Sequence, residues 1–237
     1  PWASGASIPV ELAEDSVPTV NRDGMVYAIP FSRDPIGPIY DTEKANPPPT
    51  SWNVLWDPQY KGRVLIFDSS GQDISLGALA LGFKDPFHLT KDQMAQVKQK
   101  MIALKPQLKT YYQSFDEGTQ LWENGDPVLM YSMGELQQSK LKDDKFKTAY
   151  IIPNEGALGW IDTWAMTSGV RNKDLAEAWV NFFLSKKISE AMTTKHGYGN
   201  TVSNSAGLDY SDKLKWIVPY EDFAWRTDVW NEIKAAQ

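Results

Sequence analysis

Two rhythms alternate along the chain. Short apolar-rich runs, some with a period of two, predict strands at residues 25–31, 37–41, 63–67, around 111–112, 128–133, 148–152 and 156–166. Helical spacing separates them. The clearest case follows a cap at residues 89–92, where Met94, Val97, Met101 and Leu104 keep an i, i+3, i+4 rhythm. Further helices are predicted over 74–81, over 116–124 with a glycine C-cap at Gly125, over 134–140, over 175–184 after a capping stretch at 171–174, and over 188–195. A last one is begun by Thr227 or Asp228. Thr50 or Ser51 caps a short helix that Pro58 ends, and Pro47, Pro48 and Pro49 form a stiff extended spacer.

The intervening stretches are polar. Residues 1–19 read as irregular, residues 21–24 as a hairpin turn, residues 32–35 as a polar link able to cross between lobes, and residues 142–147 as a solvated charge run. Strands alternating with helices predict an α/β fold with parallel or mixed sheets.

Composition narrows the function. The 237 residues suffice for one large or two modest domains. A net charge of −6 with interspersed signs shows no basic stripe, which disfavours a nucleic-acid partner. The absence of Cys removes disulfides and thiol chemistry, and two distant histidines, His88 and His196, make a His-rich metal site improbable. No signal peptide or membrane span is evident in the sequence, and no cofactor is implied. Ten Trp and ten Tyr can furnish a ligand pocket or an ordinary core.

The most suggestive chemistry lies in residues 156–166. In an extended segment Trp160 and Asp162 project to one face, an indole wall beside a carboxylate, which suits an ammonium group. The competing reading is a core Trp next to an Asp that caps the following turn. Residues 68–73, at the carboxyl end of a strand and ahead of a helix, are placed either to bind a ligand or simply to cap that helix. Adjacent Tyr111 and Tyr112 face opposite ways on a strand and lack further hard ligands, which argues against an iron site. A glycine-rich loop at 196–204 presents Tyr198.

Four stretches together resemble the periplasmic solute-binding proteins of the spermidine/putrescine class, which serve ABC importers. They are residues 27–31, residues 50–64 with Thr50, Ser51, Trp52 and the later Trp56, Asp57, Pro58, Gln59, Tyr60, Lys61 and Gly62, residues 155–162, and Gly197 with Tyr198. The resemblance covers the chain from about residue 20 onward. It implies a two-lobed, hinged type II periplasmic-binding-protein fold, with residues 1–34 and 161–206 in one lobe and 35–160 and 207–237 in the other. Crossings near Asp34, Trp160 and Ala206 would form the hinge, with a solute bound in the cleft. It further implies a small amine-containing solute, an ABC permease partner, a periplasmic or extracellular location, and no catalysis.

By the same resemblance Trp160 is the ring wall, Asp162 the amine anchor, Tyr131 a second aromatic and Tyr198 a pocket tyrosine. Two departures stand out. Ser69 and Gln72 occupy the places of the acidic pair that holds a polyamine's far amine, with Asp68 just before them. Arg226 stands where an uncharged hydrogen-bonding residue is expected. Arg226 could grip a ligand carboxylate, which would favour a zwitterion such as 4-aminobutyrate, or it could pair with Glu221, Asp222 or Asp228. The family's chains also carry a longer front that nothing here matches, so one lobe is expected to be incomplete at its N-terminus. Thiamine and ferric iron are alternative cargoes for this fold. A hydrolase using carboxylates among Asp68, Asp73, Asp116 and Asp162 is the remote rival, since no acid pair at a defined separation is visible.

Overall fold

The computed structural model describes residues 21–22, 25–202 and 213–236. These fall into two units: unit 1 holds the described residues of 1–34 and 159–211, and unit 2 those of 35–158 and 212–237. In chain order the strands are β1 (Asn21–Arg22), β2 (Met25–Val26), β3 (Ala28–Ile36), β4 (Pro38–Asp41), β5 (Val64–Phe67), β6 (Leu108–Tyr112), β7 (Leu129–Tyr131), β8 (Thr148–Tyr150), β9 (Ala157–Ala165), β10 (Gly199–Asn200) and β11 (Leu214–Trp216). The α-helices are α1 (Ser70–Ala80), α2 (Lys91–Leu104), α3 (Phe115–Glu123), α4 (Glu135–Asp143), α5 (Lys173–Phe183), α6 (Lys186–His196) and α7 (Phe223–Ala235).

Unit 2 is built on a five-stranded mixed sheet of order β6–β5–β7–β4–β8. β5 is parallel to β6 and β7, while β4 runs antiparallel to β7 and β8. Val64, Leu65 and Ile66 of β5 are wholly buried, as a strand flanked on both sides and covered by helices must be. Ile39, Leu65, Tyr112, Trp122, Met130 and Leu141 form one buried apolar cluster. Burying each such side chain contributes roughly 1.5–3 kcal/mol. α1 packs against α2 and α7. Gly77 permits the close approach to α2, since a Cβ there would lie 2.9 Å from a Val97 methyl.

In unit 1, β10 pairs antiparallel with β3, Gly199 opposite Arg33 and Asn200 opposite Ser32. Gly199 is required for this, because a Cβ there would meet the Arg33 carbonyl oxygen at 2.4 Å. β9 lies beside β3 in the strand order. Phe31, Trp164, Trp179 and Phe183 form a chain of ring contacts between strand and helix, with centroids 4.9–6.4 Å apart.

Several local expectations change. Residues 32–35 are not a loose link but part of β3, which continues through Asp34 into unit 2. α1 begins at Ser70, four residues earlier than the apolar pattern indicates, with Ser69 at the N-cap position and its backbone N–H held by the Asp73 carboxylate one turn on. α7 starts at Phe223, its N-cap Asp222 accepting from the Trp225 N–H at 2.9 Å, so Arg226 lies within the helix. Asn124, not Gly125, is the C-cap of α3. α4 runs on to Asp143 and takes up part of the expected charge run. The short helix after Ser51 is a 3-10 turn, and a second one begins at Pro58. The crossing expected near Ala206 lies outside the described residues.

Candidate functional site

In unit 1, three of the expected residues come together. β9 carries Trp160 half-buried and Asp162 exposed. Tyr198 follows Gly197, the left-handed C-cap that ends α6, and precedes the pairing of Gly199 with β3. Its ring meets that of Trp160 edge to face, 6.2 Å between centroids and 81° between planes. Asp162 is close enough to raise the Tyr198 hydroxyl, behind burial itself and ahead of a smaller effect from Asp34. The Asp162 carboxyl is in turn raised from its ordinary value by burial. No described residue pairs a cation with it. A partly desolvated carboxylate beside two aromatic rings is suited to an ammonium, which gains a charge-assisted hydrogen bond and a ring contact.

Unit 2 has a polar locus of its own at the carboxyl ends of β5 and β7, where open α/β sheets characteristically present ligand-binding loops. Ser69 and Gln72 are half-buried at the start of α1. The Ser69 hydroxyl does not cap the helix, whereas its backbone N–H donates to the Asp73 carboxylate at 2.7 Å. Asp73 is wholly buried, and burial holds its carboxyl well above the ordinary range. Tyr131, opposite Ile66 across the β5–β7 pair, is also wholly buried and packs edge to face on Trp52 at 5.5 Å. Its hydroxyl and the Asp73 Oδ1 atom have no hydrogen-bond partner. Tyr220 covers the first turn of α1: a Cβ on Gly71 would fall 2.4 Å from its ring.

Arg226 corrects the expectation that it could grip a ligand carboxylate. It is 0% exposed, and its whole donor fork is engaged inside unit 2. Nε donates to Glu221 at 3.0 and 3.2 Å, Nη1 to the Gly71 carbonyl at 3.0 Å and Ser75 Oγ at 2.8 Å, and Nη2 to the Pro86 carbonyl at 2.8 Å. Its guanidinium carbon sits 4.4 Å over the Tyr220 ring. Arg226 ties α7 to α1. Asp68 is similarly occupied, accepting from Trp230 Nε1 at 2.7 Å and Lys234 Nζ at 3.1 Å.

The adjacent tyrosines face opposite ways. Tyr111 packs on Trp230, and Tyr112 points into the core to donate to the Tyr131 carbonyl. Tyr111 is pushed up to about 12 by burial, then by Asp73 and Asp68, which disfavours the tyrosinate that iron would need. Asp73 and Tyr220 were not singled out as ligand residues from sequence. The one available signal for Asp73 was its position four after Ser69, within reach of that residue's N–H.

The described residues include no helix long and apolar enough to cross a membrane. Residues 9–223 match the family model described as bacterial extracellular solute-binding protein. Among curated relatives, spermidine/putrescine-binding periplasmic protein 1 of Haemophilus influenzae is 24% identical over 157 residues, covering 63% of this chain and 40% of its own length. The putrescine-binding periplasmic protein SpuD of Pseudomonas aeruginosa is 23% identical over 92% of this chain and 68% of its own. The chain thus spans less than half the length of the first of these. Among solved structures, the spermidine/putrescine ABC transporter substrate-binding protein PotD of Streptococcus pneumoniae superposes with a TM-score of 0.77 at 20% identity, covering 90% of this chain and 70% of that one. That likeness establishes the α/β fold of type II periplasmic binding proteins. With its family model matched over most of its length, the chain belongs to the bacterial extracellular solute-binding proteins.

Proposed function

We propose that this chain is part of the extracytoplasmic substrate-binding component of an ABC importer and binds a polyamine or a related small amine. Its two units would be the lobes of that component, its partner a membrane permease, and its location periplasmic or, in an organism without an outer membrane, extracellular. The observation that carries the reading is the grouping of Trp160, Asp162 and Tyr198, a solvent-accessible carboxylate that no described residue pairs with a cation, set by two rings in edge-to-face contact. The names of the curated relatives support the amine class, and the TM-score to a substrate-binding protein of an ABC transporter supports the transport role.

The reading is tested by titrating the chain with putrescine, spermidine and other primary amines in a calorimeter, beside an Asp162→Asn variant. Saturable amine binding that the variant loses supports it. Binding of no amine, or amine binding indifferent to Asp162, overturns it.

A further inference from the structure

α5 has apolar side chains on two sides, and the described residues cover only one of them. Val180 is buried, and Phe183 packs on Trp164 of β9 with 5.4 Å between ring centroids. On the other side Leu175, Trp179 and Phe182 are 66%, 53% and 54% exposed and follow one another at i, i+4 and i+7, a single stripe along the helix. With Asn172, Ala176 and Ala178 they line a surface groove, and none of the six is charged. The rings are held in place from below. Trp179 meets Phe183 at 4.9 Å and Trp164 at 6.4 Å, and Phe182 meets Phe183 edge to face at 5.7 Å. Covering rings that are already fixed costs little side-chain entropy.

The order of large and small residues makes the stripe complementary to itself. Let two α5 helices meet antiparallel, with the two-fold axis between positions 178 and 179. Trp179 of each copy then falls opposite Ala178 of the other, and Leu175 opposite Phe182. Each indole enters the gap over a small residue, and the helix dipoles oppose. Charge stays at the ends: Lys186 comes toward Arg171 of the other copy, and Glu190, 3.7 Å from Lys186, offsets that repulsion. The three exposed side chains present roughly 350 Å² of apolar surface per copy, the size at which a contiguous patch marks an interaction site. Two copies, with the flanking Asn172 and alanines, bury on the order of 1,000 Å², short of a permanent dimer and within the range of a transient one.

We propose that this face of α5 binds a second copy of the chain through a two-fold antiparallel α5–α5 contact, giving a dimer that forms and dissociates reversibly. An uncharged stripe with its own match of large to small residues favours this occupant over a charged peptide or a polar surface. Dimerisation through α5 is independent of the solute bound.

Sedimentation velocity of the full chain, run from low to high micromolar concentration, reads the association directly. The parent should pass from monomer to dimer over that range. Leu175→Glu puts a charge on the stripe at an exposed site near the start of α5, where an acidic residue suits the helix. Ala178→Trp fills the gap that receives Trp179. Each should weaken dimerisation about tenfold or more, with the far-ultraviolet circular dichroism unchanged. The chain has no Cys, so Ala178→Cys supplies one thiol beside the axis, and a short bismaleimide should join two copies there. Lys142→Cys, on α4 of unit 2, should stay unlinked. A parent that stays monomeric at every concentration overturns the inference and leaves the face to another occupant. A dimer indifferent to both Leu175→Glu and Ala178→Trp, or one that Ala178→Cys fails to cross-link, overturns the placement of the contact on α5.

Discussion

Arg226 Nη2 and the Glu221 carboxylate lie 3.0 Å apart, and the guanidinium of this pair is completely withdrawn from solvent. Remaining donors of the same group reach Gly71, Ser75 and Pro86, so one side chain links the start of α7 to α1 and to the loop beyond it. Arg226→Ala would strip Glu221 of its guanidinium and remove a charged donor from the Gly71 and Pro86 carbonyls, leaving the single Ser75 hydroxyl to serve both. Breaking one side of a buried pair costs about 3–5 kcal/mol, and the residual exposure of Glu221 places this case toward the lower figure. Urea unfolding should show that loss. Arg226→Lys should recover only part of it, because an ammonium cannot reproduce the fork.

Asp73 makes stability depend on pH in a direction opposite to most carboxylates. Its pKa is raised in the folded chain by burial, while unfolded it returns to its ordinary value of 3.8. Between those two values the folded state holds more protons, so stability falls as pH rises from about the unfolded value through the folded one. Asp73→Asn keeps an oxygen for the Ser69 N–H and abolishes the titration. Melting temperatures of the two proteins should therefore diverge as pH rises above the ordinary carboxylate range, with Asp73→Asn the more stable at neutral pH. Parallel curves would show that Asp73 titrates alike in both states.

Much of the fold is legible in the sequence because it rests on local rules. The Thr90 capping box and the Met94, Val97, Met101, Leu104 stripe specify α2, and the apolar run 64–67 specifies a buried strand. The α1 boundary is not legible in the same way. Ser70, Gly71, Gln72 and Asp73 read as loop by polarity, and they are helical because Asp73 folds back on the Ser69 N–H and Tyr220 closes over Gly71. Asp222, whose carboxylate accepts from the Trp225 N–H, caps α7 in place of the expected Thr227 or Asp228. The grouping of Trp160 with Tyr198 follows from strand periodicity for one residue and from a left-handed glycine for the other. The pairing of Arg226 with Glu221, five residues away, is among the options the sequence offers, whereas its bonds to Gly71, Ser75 and Pro86, 140 to 155 residues away, are encoded by no local pattern.

Gly71 tests the covering role of Tyr220. A methyl group at this position would stand 2.4 and 2.6 Å from two ring carbons of Tyr220 and 2.7 Å from its hydroxyl oxygen, distances that require the side chain to move. Gly71→Ala should thus displace Tyr220 from both α1 and Arg226, although alanine is the better helix former. The expected loss is about 1–3 kcal/mol. Near-ultraviolet circular dichroism should report the altered tyrosine packing with far-ultraviolet helicity preserved. An unchanged or raised melting temperature would show that propensity outweighs the clash.

Amine binding should depend on pH through Asp162. Asp162 must be ionised to hold an ammonium, and burial raises its carboxyl above the ordinary 3.8 in the ligand-free chain. Primary amines remain protonated throughout the acidic range, so the carboxylate alone titrates there. Affinity should fall as pH is lowered, and the decline should begin above the pH at which an exposed aspartate takes up its proton. Asp162→Asn should remove that slope and weaken binding at neutral pH by about 1.5–3 kcal/mol, the contribution of a hydrogen bond to a charged group. Trp160→Leu should lower affinity by roughly 0.5–2 kcal/mol through loss of the ring's attraction for the cation, and should leave the slope unchanged. Calorimetric titrations across the acidic range distinguish the two effects. A slope that persists in Asp162→Asn would move the titrating anchor to another carboxylate, and Asp34, which also acts on Tyr198, would be the next to replace.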